Sequence, residues 1–466
     1  MTDLFSFDVA VIGAGIGGYV AAIRSAQLGK KVVVVEKDKL GGMCLNRGCI
    51  PTETLLATAD FIDKVKRSED FGVQIGSFTI NLEKIRVRKD TVVARLNEGV
   101  NFLIKKNKIH LINGEGTFLT ENQILVQKTD GGEESINAEN IIVATGSEEY
   151  KPSYANIDEE KILTTREALS LKEVPESLAV VGGDIIGIEF AVVFNALGSK
   201  VTVLEASSNI LPTLDKDLGR TYMRILRKKG IEVHLDTEVK SIKASLNGKI
   251  GIRTFSKGIE TDIQTDKVLV TNSRKPLSDR LGLEKIGVKV EDGFIIVDEH
   301  MRTSIPNIFA VGDVTGGKML AHIAIAGGIV AAENIAGIKT TMNYKAVPTC
   351  MYCSPEVASV GLSEDEAKEQ GYNVAVGKFH LLANGRAATL GEADGMAKIV
   401  CDGDTGEVLG VHLVAPHATE MISEAALAMR LECTSEEIGT LVHPHPTISE
   451  ALMEAARDIH KKAIHA

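Results

Sequence analysis

Apolar and polar positions change period several times along the chain, and the first change is the most informative. The stretch FDVAVIGAGIGGYVAAIRSAQLGKKVVVVEK, residues 7–37, opens on an apolar run, turns on glycine, continues with small and apolar residues at helical spacing, and closes on a second apolar run. That order predicts a buried strand, a tight turn, a helix laid on the strand, and a second strand. A second copy, LAVVGGDIIGIEFAVVFNALGSKVTVLEAS, occupies residues 178–207. After Pro51, residues Leu55, Leu56, Ala59 and Ile62 recur at helical spacing, so a further helix is expected there. No run approaches eighteen apolar residues, and the chain enters its first strand without a basic leader. No membrane association and a cytoplasmic location are therefore expected.

At 466 residues the chain exceeds a single core, and a prior of about 150 residues per domain suggests roughly three. With 44% apolar residues, 25% charged residues and 44 glycines, it fits an α/β enzyme rich in strand-to-helix turns and excludes a disordered chain. A formal net charge of -11 without a dense basic stripe argues against a nucleic-acid partner. Six cysteines are too sparse for a secreted disulfide scaffold, so any disulfide here is expected to be catalytic.

Each glycine turn carries the parts of a dinucleotide fingerprint. In the first, Gly13 permits the tight turn, Gly15 lets backbone approach a pyrophosphate, Gly18 lets helix pack on strand, and Glu36 is placed to accept from a ribose hydroxyl. In the second, Gly182 and Gly187 hold the outer positions and Glu205 closes the strand, which favours NAD over NADP. The middle position is Asp184, where a side chain brings bulk and like charge towards the phosphates. Unit charges about 5 Å apart interact by roughly 3 kcal/mol at an effective dielectric near 20. Even half of that repulsion is about a tenfold loss of affinity.

The segment GGMCLNRGCIP places Cys44 and Cys49 after a Gly-Gly turn and before the helix marked by Leu55. The pair is expected at a helix N-terminus, where unpaired N–H groups and the helix dipole favour thiolate. Cys350 and Cys353 form a second C-x-x-C, but the alternating pattern around them reads as a strand, on which residues three apart face opposite ways. No metal site is expected. Cys401 and Cys433 read as buried small residues.

With these motifs in hand, the sequence resembles the pyridine-nucleotide disulfide oxidoreductases almost end to end, and most of all their dihydrolipoyl dehydrogenase branch. CLNRGCIP resembles the redox-disulfide motif, IIVATGS a connecting strand, IPNIFAVGDVTGG the return to the FAD domain, and HPHPTISEALMEAA the His-Glu segment. The fold class this implies is α/β, with two Rossmann-like dinucleotide-binding domains of FAD and NAD type and a C-terminal α+β dimerisation domain. The implied division is an FAD-binding domain over 1–147, an NAD-type domain over 148–272, a return to the FAD domain over 273–345, and a dimer-interface domain over 346–466. Gly146 and Asp313 join the FAD site by the same resemblance, and the flavin ring stacks beside the Cys44–Cys49 disulfide.

The resemblance further implies a homodimer in which His445, oriented by Glu450, reaches across as the base for a dithiol substrate. The chemistry agrees, because a dihydrolipoyl thiol needs a base titrating near neutrality before it can attack a disulfide. His443 reads as supporting structure. The implied reaction moves electrons between the dihydrolipoyl group of a lipoyl-bearing carrier protein and FAD, and then to NAD. Three positions depart from the pattern. Glu53 stands where relatives usually carry lysine paired with the glutamate matched here by Glu189, Asp184 replaces glycine, and Ser273 stands where glycine is usual. Two carboxylates at one site cannot comfortably ionise together, and loss of the cation makes the flavin harder to reduce. The alternative reading is a lipoyl-protein oxidoreductase with weak or no NAD binding that uses another electron partner.

Overall fold

The computed structural model describes residues 5–245, 248–271 and 274–465. Contacts divide the chain into two compact units: residues 1–54, 86–150 and 273–342 in the first, and 55–85, 151–272 and 343–466 in the second. The segments expected to form the nicotinamide-type and interface domains thus fall within one unit. Ser273 lies outside the described residues.

In the first unit, strand β1 (Phe5–Ile12) leads through the first glycine turn into helix α1 (Ile16–Gln27) and strand β2 (Val32–Glu36). The short helix α2 (Gly42–Arg47) follows, then α3 (Cys49–Lys66), whose first residues belong to this unit, and the long helix α4 (Leu82–Lys106). Strands β3 (His110–Thr120), β4 (Gln123–Lys128) and β5 (Glu133–Val143) complete the local sheet, joined by the strand Ile308–Ala310 from far along the chain. β1 lies between β2 and β5, parallel to both, with Val9 opposite Val32 and Asn140. Val9, Val11, Val33 and Val34 are fully buried, which explains an apolar run without alternation. Helix Ala321–Ile335 crosses α1 where both lack side chains. A Cβ on Gly328 would stand 2.5 Å from the Gly17 carbonyl oxygen.

The second unit holds two five-stranded sheets. One is parallel, in the order Glu232–His234, Lys200–Leu204, Ser177–Val181, Lys267–Val270, Ile162–Leu163. The other is antiparallel, in the order Thr349–Met351, Glu356–Gly361, Val408–Ala415, Met396–Asp402, Val374–His380. Leu55, Leu56 and Ala59 belong to the same apolar core as Phe190, Leu218 and Val414. This core draws most of α3 into the second unit, whereas the expected division kept it in the first. A buried ionic knot also links the unit's sequence-distant segments. The fully buried Lys398 ammonium lies 2.8 Å from Asp215, 2.8 Å from Asp217 and 2.9 Å from Glu364. Burial alone would lower its pKa, but these three carboxylates hold the lysine above its ordinary value.

Candidate active site

The first glycine turn is built as a cradle. Gly13 has φ +98°, and a Cβ there would sit 2.4 Å from the Ala144 carbonyl oxygen. Gly18 packs so closely that a Cβ would stand 2.0 Å from the Gly13 carbonyl oxygen. Gly15 is the N-cap of α1, without a side-chain capping bond, and a Cβ there would meet nothing closer than 3.9 Å. The helix N-terminus therefore carries no side-chain cap of its own, as binding of an anionic diphosphate requires. Glu36 accepts from the Ala14 N–H at 2.6 Å and the Asp38 N–H at 2.8 Å, so it braces the turn besides standing at the ribose position.

The cysteine segment is stitched to this cradle. Gly41 N–H donates to the Ala14 carbonyl at 2.8 Å, and Gly42 packs against Gly15, where a Cβ on Gly42 would stand 2.6 Å from the Gly15 Cα. Cys44 lies inside α2 and Cys49 opens α3, with Gly48 between the helices. Each cysteine therefore stands in the first turn of its own helix, a correction to the expectation of one helix N-terminus for the pair. The separate turn forms because Gly41 and Gly42 have φ +86° and +60° and because Asn46 donates to the Leu40 and Gly42 carbonyls at 2.9 and 2.8 Å.

The two side chains are hydrogen-bonded to each other, and the bond moves their pKa values in opposite directions. Cys44 is pushed far above the ordinary thiol range, first because its S–H is held by Cys49 and then because it is buried. Cys49 is lowered, first by that same hydrogen bond; its own backbone N–H and the Arg274 guanidinium add to the effect against burial and the Asp313 charge. Arg274 donates to Asp313 at 2.7 Å and to the Met319 carbonyl at 2.6 Å, and the buried Ser147 hydroxyl donates to Asp313 at 2.6 Å. Sequence reasoning named Asp313 but missed Arg274 and Ser147. Each lies a few residues past a strand end, Ser147 directly after the positive-φ Gly146, and such positions carry polar site residues in α/β folds. The second C-x-x-C differs: burial pushes Cys350 up to about 11 and holds Cys353 higher still, so neither favours thiolate.

The second glycine turn keeps the framework of the first. Gly182 has φ +121°, a Cβ on Gly187 would stand 2.0 Å from the Gly182 carbonyl oxygen, and Glu205 accepts from Gly183 and Ser207 N–H groups at 2.6 and 2.7 Å. The difference is Asp184. It is the N-cap of helix Ile185–Leu197, and its carboxylate accepts the Gly187 N–H at 2.8 Å. A carboxylate is already engaged at the helix end where a dinucleotide's phosphates are expected.

Of the remaining expected residues, Glu53 is exposed on the first turns of α3, in the first unit. Glu189 is buried in the second unit and accepts the Tyr352 N–H at 3.0 Å. His445 is 78% exposed and its Nδ1 lies 2.9 Å from Glu450. Burial opposes charge on Glu450, but the Thr447 N–H, at 2.8 Å, and His445 together hold the carboxyl below its ordinary value. With Nδ1–H fixed on Glu450, Nε2 is the nitrogen left to receive a proton. His443 is anchored on both ring nitrogens, by Glu424 at 3.0 Å and the Leu441 carbonyl at 3.1 Å, and the Glu424 bond raises its pKa.

An uncapped glycine cradle stitched to a hydrogen-bonded thiol pair, one member of which has a lowered pKa, defines a dinucleotide-dependent thiol–disulfide redox protein. Residues 7–328 match the family model described as pyridine nucleotide-disulphide oxidoreductase, and residues 347–456 match the model of that family's dimerisation domain. The chain belongs to the pyridine nucleotide-disulphide oxidoreductase family and is an oxidoreductase. It is 43% identical to a dihydrolipoyl dehydrogenase of Bacillus subtilis (strain 168), with 98% of this chain and 99% of that one covered. It is 40% identical to a leghemoglobin reductase of Vigna unguiculata, covering 98% and 88%. Among solved structures, LpdA from Mycobacterium tuberculosis superposes with a TM-score of 0.90 at 26% identity, covering 97% and 99%. Among the described residues, no helix is long and apolar enough to cross a membrane.

Proposed function

We propose that this protein is a FAD-dependent dihydrolipoyl dehydrogenase, moving an electron pair between a protein-bound dihydrolipoyl dithiol and FAD through a Cys44–Cys49 disulfide, and then to NAD. The observation that carries this reading is the backbone stitching of the Cys44–Cys49 segment to the first glycine cradle, with the Gly41 N–H on the Ala14 carbonyl at 2.8 Å and Gly42 packed on Gly15. Within the pair, Cys49 is the thiol whose pKa is lowered. Relatives carrying that name at 41–43% identity over almost the whole chain support it. The dimerisation-domain match supports a homodimer, and in the proposed site the cysteines of one subunit meet the His445–Glu450 dyad of the other. The proposed partner is a lipoyl-bearing carrier protein, and the proposed location is the cytoplasm, supported by the sparse cysteines. The proposed division keeps 1–147 with 273–345 for FAD, 148–272 for NAD and 346–466 for the dimer interface.

The first half-reaction follows from the chain's own residues. His445 Nε2 takes a proton from one substrate thiol while Glu450 holds the imidazole and supports its positive charge. The substrate thiolate attacks Cys44 Sγ, the Cys44–Cys49 bond breaks, and Cys49 departs as thiolate because the lower-pKa thiol leaves faster. The second substrate thiol loses its proton and attacks its neighbour in the mixed disulfide, which closes the lipoyl ring and releases Cys44 to be protonated. Two electrons have then moved from substrate to the cysteine pair. Gly13, Gly15, Gly18, Glu36, Gly146 and Asp313 would hold FAD, which when bound would supply two-electron chemistry between that pair and the nicotinamide. Glu53, one helical turn beyond Cys49, is proposed to make the flavin harder to reduce than a lysine would.

Anaerobic addition of dihydrolipoamide to the yellow holoprotein tests the reading. Flavin absorbance should fall and a long-wavelength thiolate–flavin band should rise. A protein that stays yellow, without any thiol-dependent spectral change, would sink it. Asp184 favours a second reading, in which the second electron partner is not NAD. Micromolar NADH binding with rapid flavin reduction would reject that alternative.

A further inference from the structure

The two glycine turns provide an internal control. Both have a positive-φ first glycine, a last glycine in contact with the first one's carbonyl, and a glutamate bracing the loop N–H groups. They differ at the helix N-cap. Gly15 brings no side chain, whereas the Asp184 carboxylate sits on the Gly187 N–H at 2.8 Å. With Glu205 already on the Gly183 N–H at 2.6 Å, the second turn holds two carboxylates on its own amides where the first holds one.

We infer that Asp184 sets the affinity of this protein for its nicotinamide dinucleotide, acting as a resident anion that competes with the pyrophosphate for the N-terminus of helix Ile185–Leu197. This inference rests on the proposed use of NAD. The competition has two parts. The carboxylate takes a helix-terminal amide that would otherwise face the phosphates. Its charge also repels them across a few ångströms, a distance too short for salt to screen fully. The framework is untouched, so the domain folds with the geometry of a nucleotide-binding unit and binds its nucleotide weakly. The residue acts on dinucleotide binding and takes no part in the thiol half-reaction, which runs through Cys44, Cys49 and His445.

The test is a calorimetric titration of the holoprotein with NADH, ADP-ribose and adenosine, for wild type, Asp184→Gly and Asp184→Asn. Glycine replaces an aspartate N-cap with a loss of only a few tenths of a kcal/mol, and asparagine keeps an acceptor for the Gly187 N–H while removing the charge. Asp184→Gly should tighten NADH and ADP-ribose about tenfold, Asp184→Asn by an intermediate factor, and neither should change adenosine, which has no phosphate. In steady state the gain should appear in KM for NADH more than in kcat. Equal NADH affinities in wild type and Asp184→Gly would overturn the inference, as would an equal gain for adenosine. An Asp184→Asn variant that binds like wild type would also overturn it. No thiol substrate enters these titrations, so failure of the dihydrolipoyl reading would leave their outcome unchanged.

Discussion

The two glycine turns are near copies whose ends have been finished differently. The turn at Gly13–Gly18 leaves the N-terminus of α1 uncapped and hands its Ala14 carbonyl to Gly41, so the cofactor cradle and the redox pair form one piece of backbone architecture. The turn at Gly182–Gly187 has the same packing constraints but supplies its own anion from Asp184. The fold therefore tolerates two solutions to an unsatisfied helix terminus: leave it for a ligand, or cap it from within. Glycines that set turn and packing geometry preserve the shape, and one residue at the cap decides what that shape can bind.

The largest expected effect separates the thiol half of the chemistry from the nucleotide half. His445→Gln should lower dihydrolipoamide-driven turnover about 10²- to 10⁴-fold, the usual range for loss of a general base, while NADH-driven flavin reduction stays near wild type. Stopped-flow absorbance of the two half-reactions measures both. Equal losses in the two would show that the dyad serves the whole protein and that the halves cannot be compared separately. Glu450, with its carboxyl held below the ordinary range, stays charged at neutral pH. Its lowered pKa contributes stability above about pH 4.3, the unfolded carboxyl value, and that contribution is lost as pH falls through the folded value. The melting-temperature difference between wild type and Glu450→Gln should therefore shrink below about pH 4.

Transplanting the second cap into the first turn is the next largest perturbation. Gly15 has ordinary extended geometry, with φ -62° and ψ 178°, and a Cβ there meets nothing closer than 3.9 Å, so an aspartate fits without backbone strain. Gly15→Asp should fold, cap α1 through its own carboxylate, and bind FAD at least about tenfold more weakly. Flavin retention through gel filtration and the affinity of apoprotein for added FAD report this. Unchanged FAD binding would mean that an N-cap carboxylate is compatible with a dinucleotide, and the contrast between the turns would lose its functional meaning.

Both fingerprints were legible because all their parts lie within about thirty consecutive residues and their periodicity is enforced by burial. The charge of Asp184 is legible too, and its capping bond has a sequence signal of its own, an aspartate just before an apolar helix, which the fingerprint pattern overshadows. Arg274 could not be placed: its partners Asp313 and Met319 lie about forty residues away, across a chain return that periodicity does not describe. The Lys398 knot was invisible for the same reason, since its nearest carboxylate in sequence is Glu364. The separate helix that holds Cys44 is not legible, because nothing in the helical spacing after Pro51 marks the break at Gly48.

The smallest expected effects concern what the turns share. Glu36 and Glu205 were expected to meet a ribose, yet each uses both carboxylate oxygens on backbone N–H groups of its own loop region. Glutamine at either position keeps one acceptor oxygen and must abandon one of the two N–H groups. Glu36→Gln and Glu205→Gln should each destabilise the protein by about 1–3 kcal/mol, the usual effect of losing a hydrogen bond to a charged group. Denaturant unfolding of the two variants would give the comparison, with Glu205→Gln the larger loss because that carboxylate is 7% exposed and its orphaned N–H has less access to water. If Glu36→Gln leaves stability unchanged while Glu205→Gln lowers it, the bracing role belongs to the second turn alone. The first turn would then owe its shape to glycine packing and to the Gly41 bond rather than to the acid at the end of its strand.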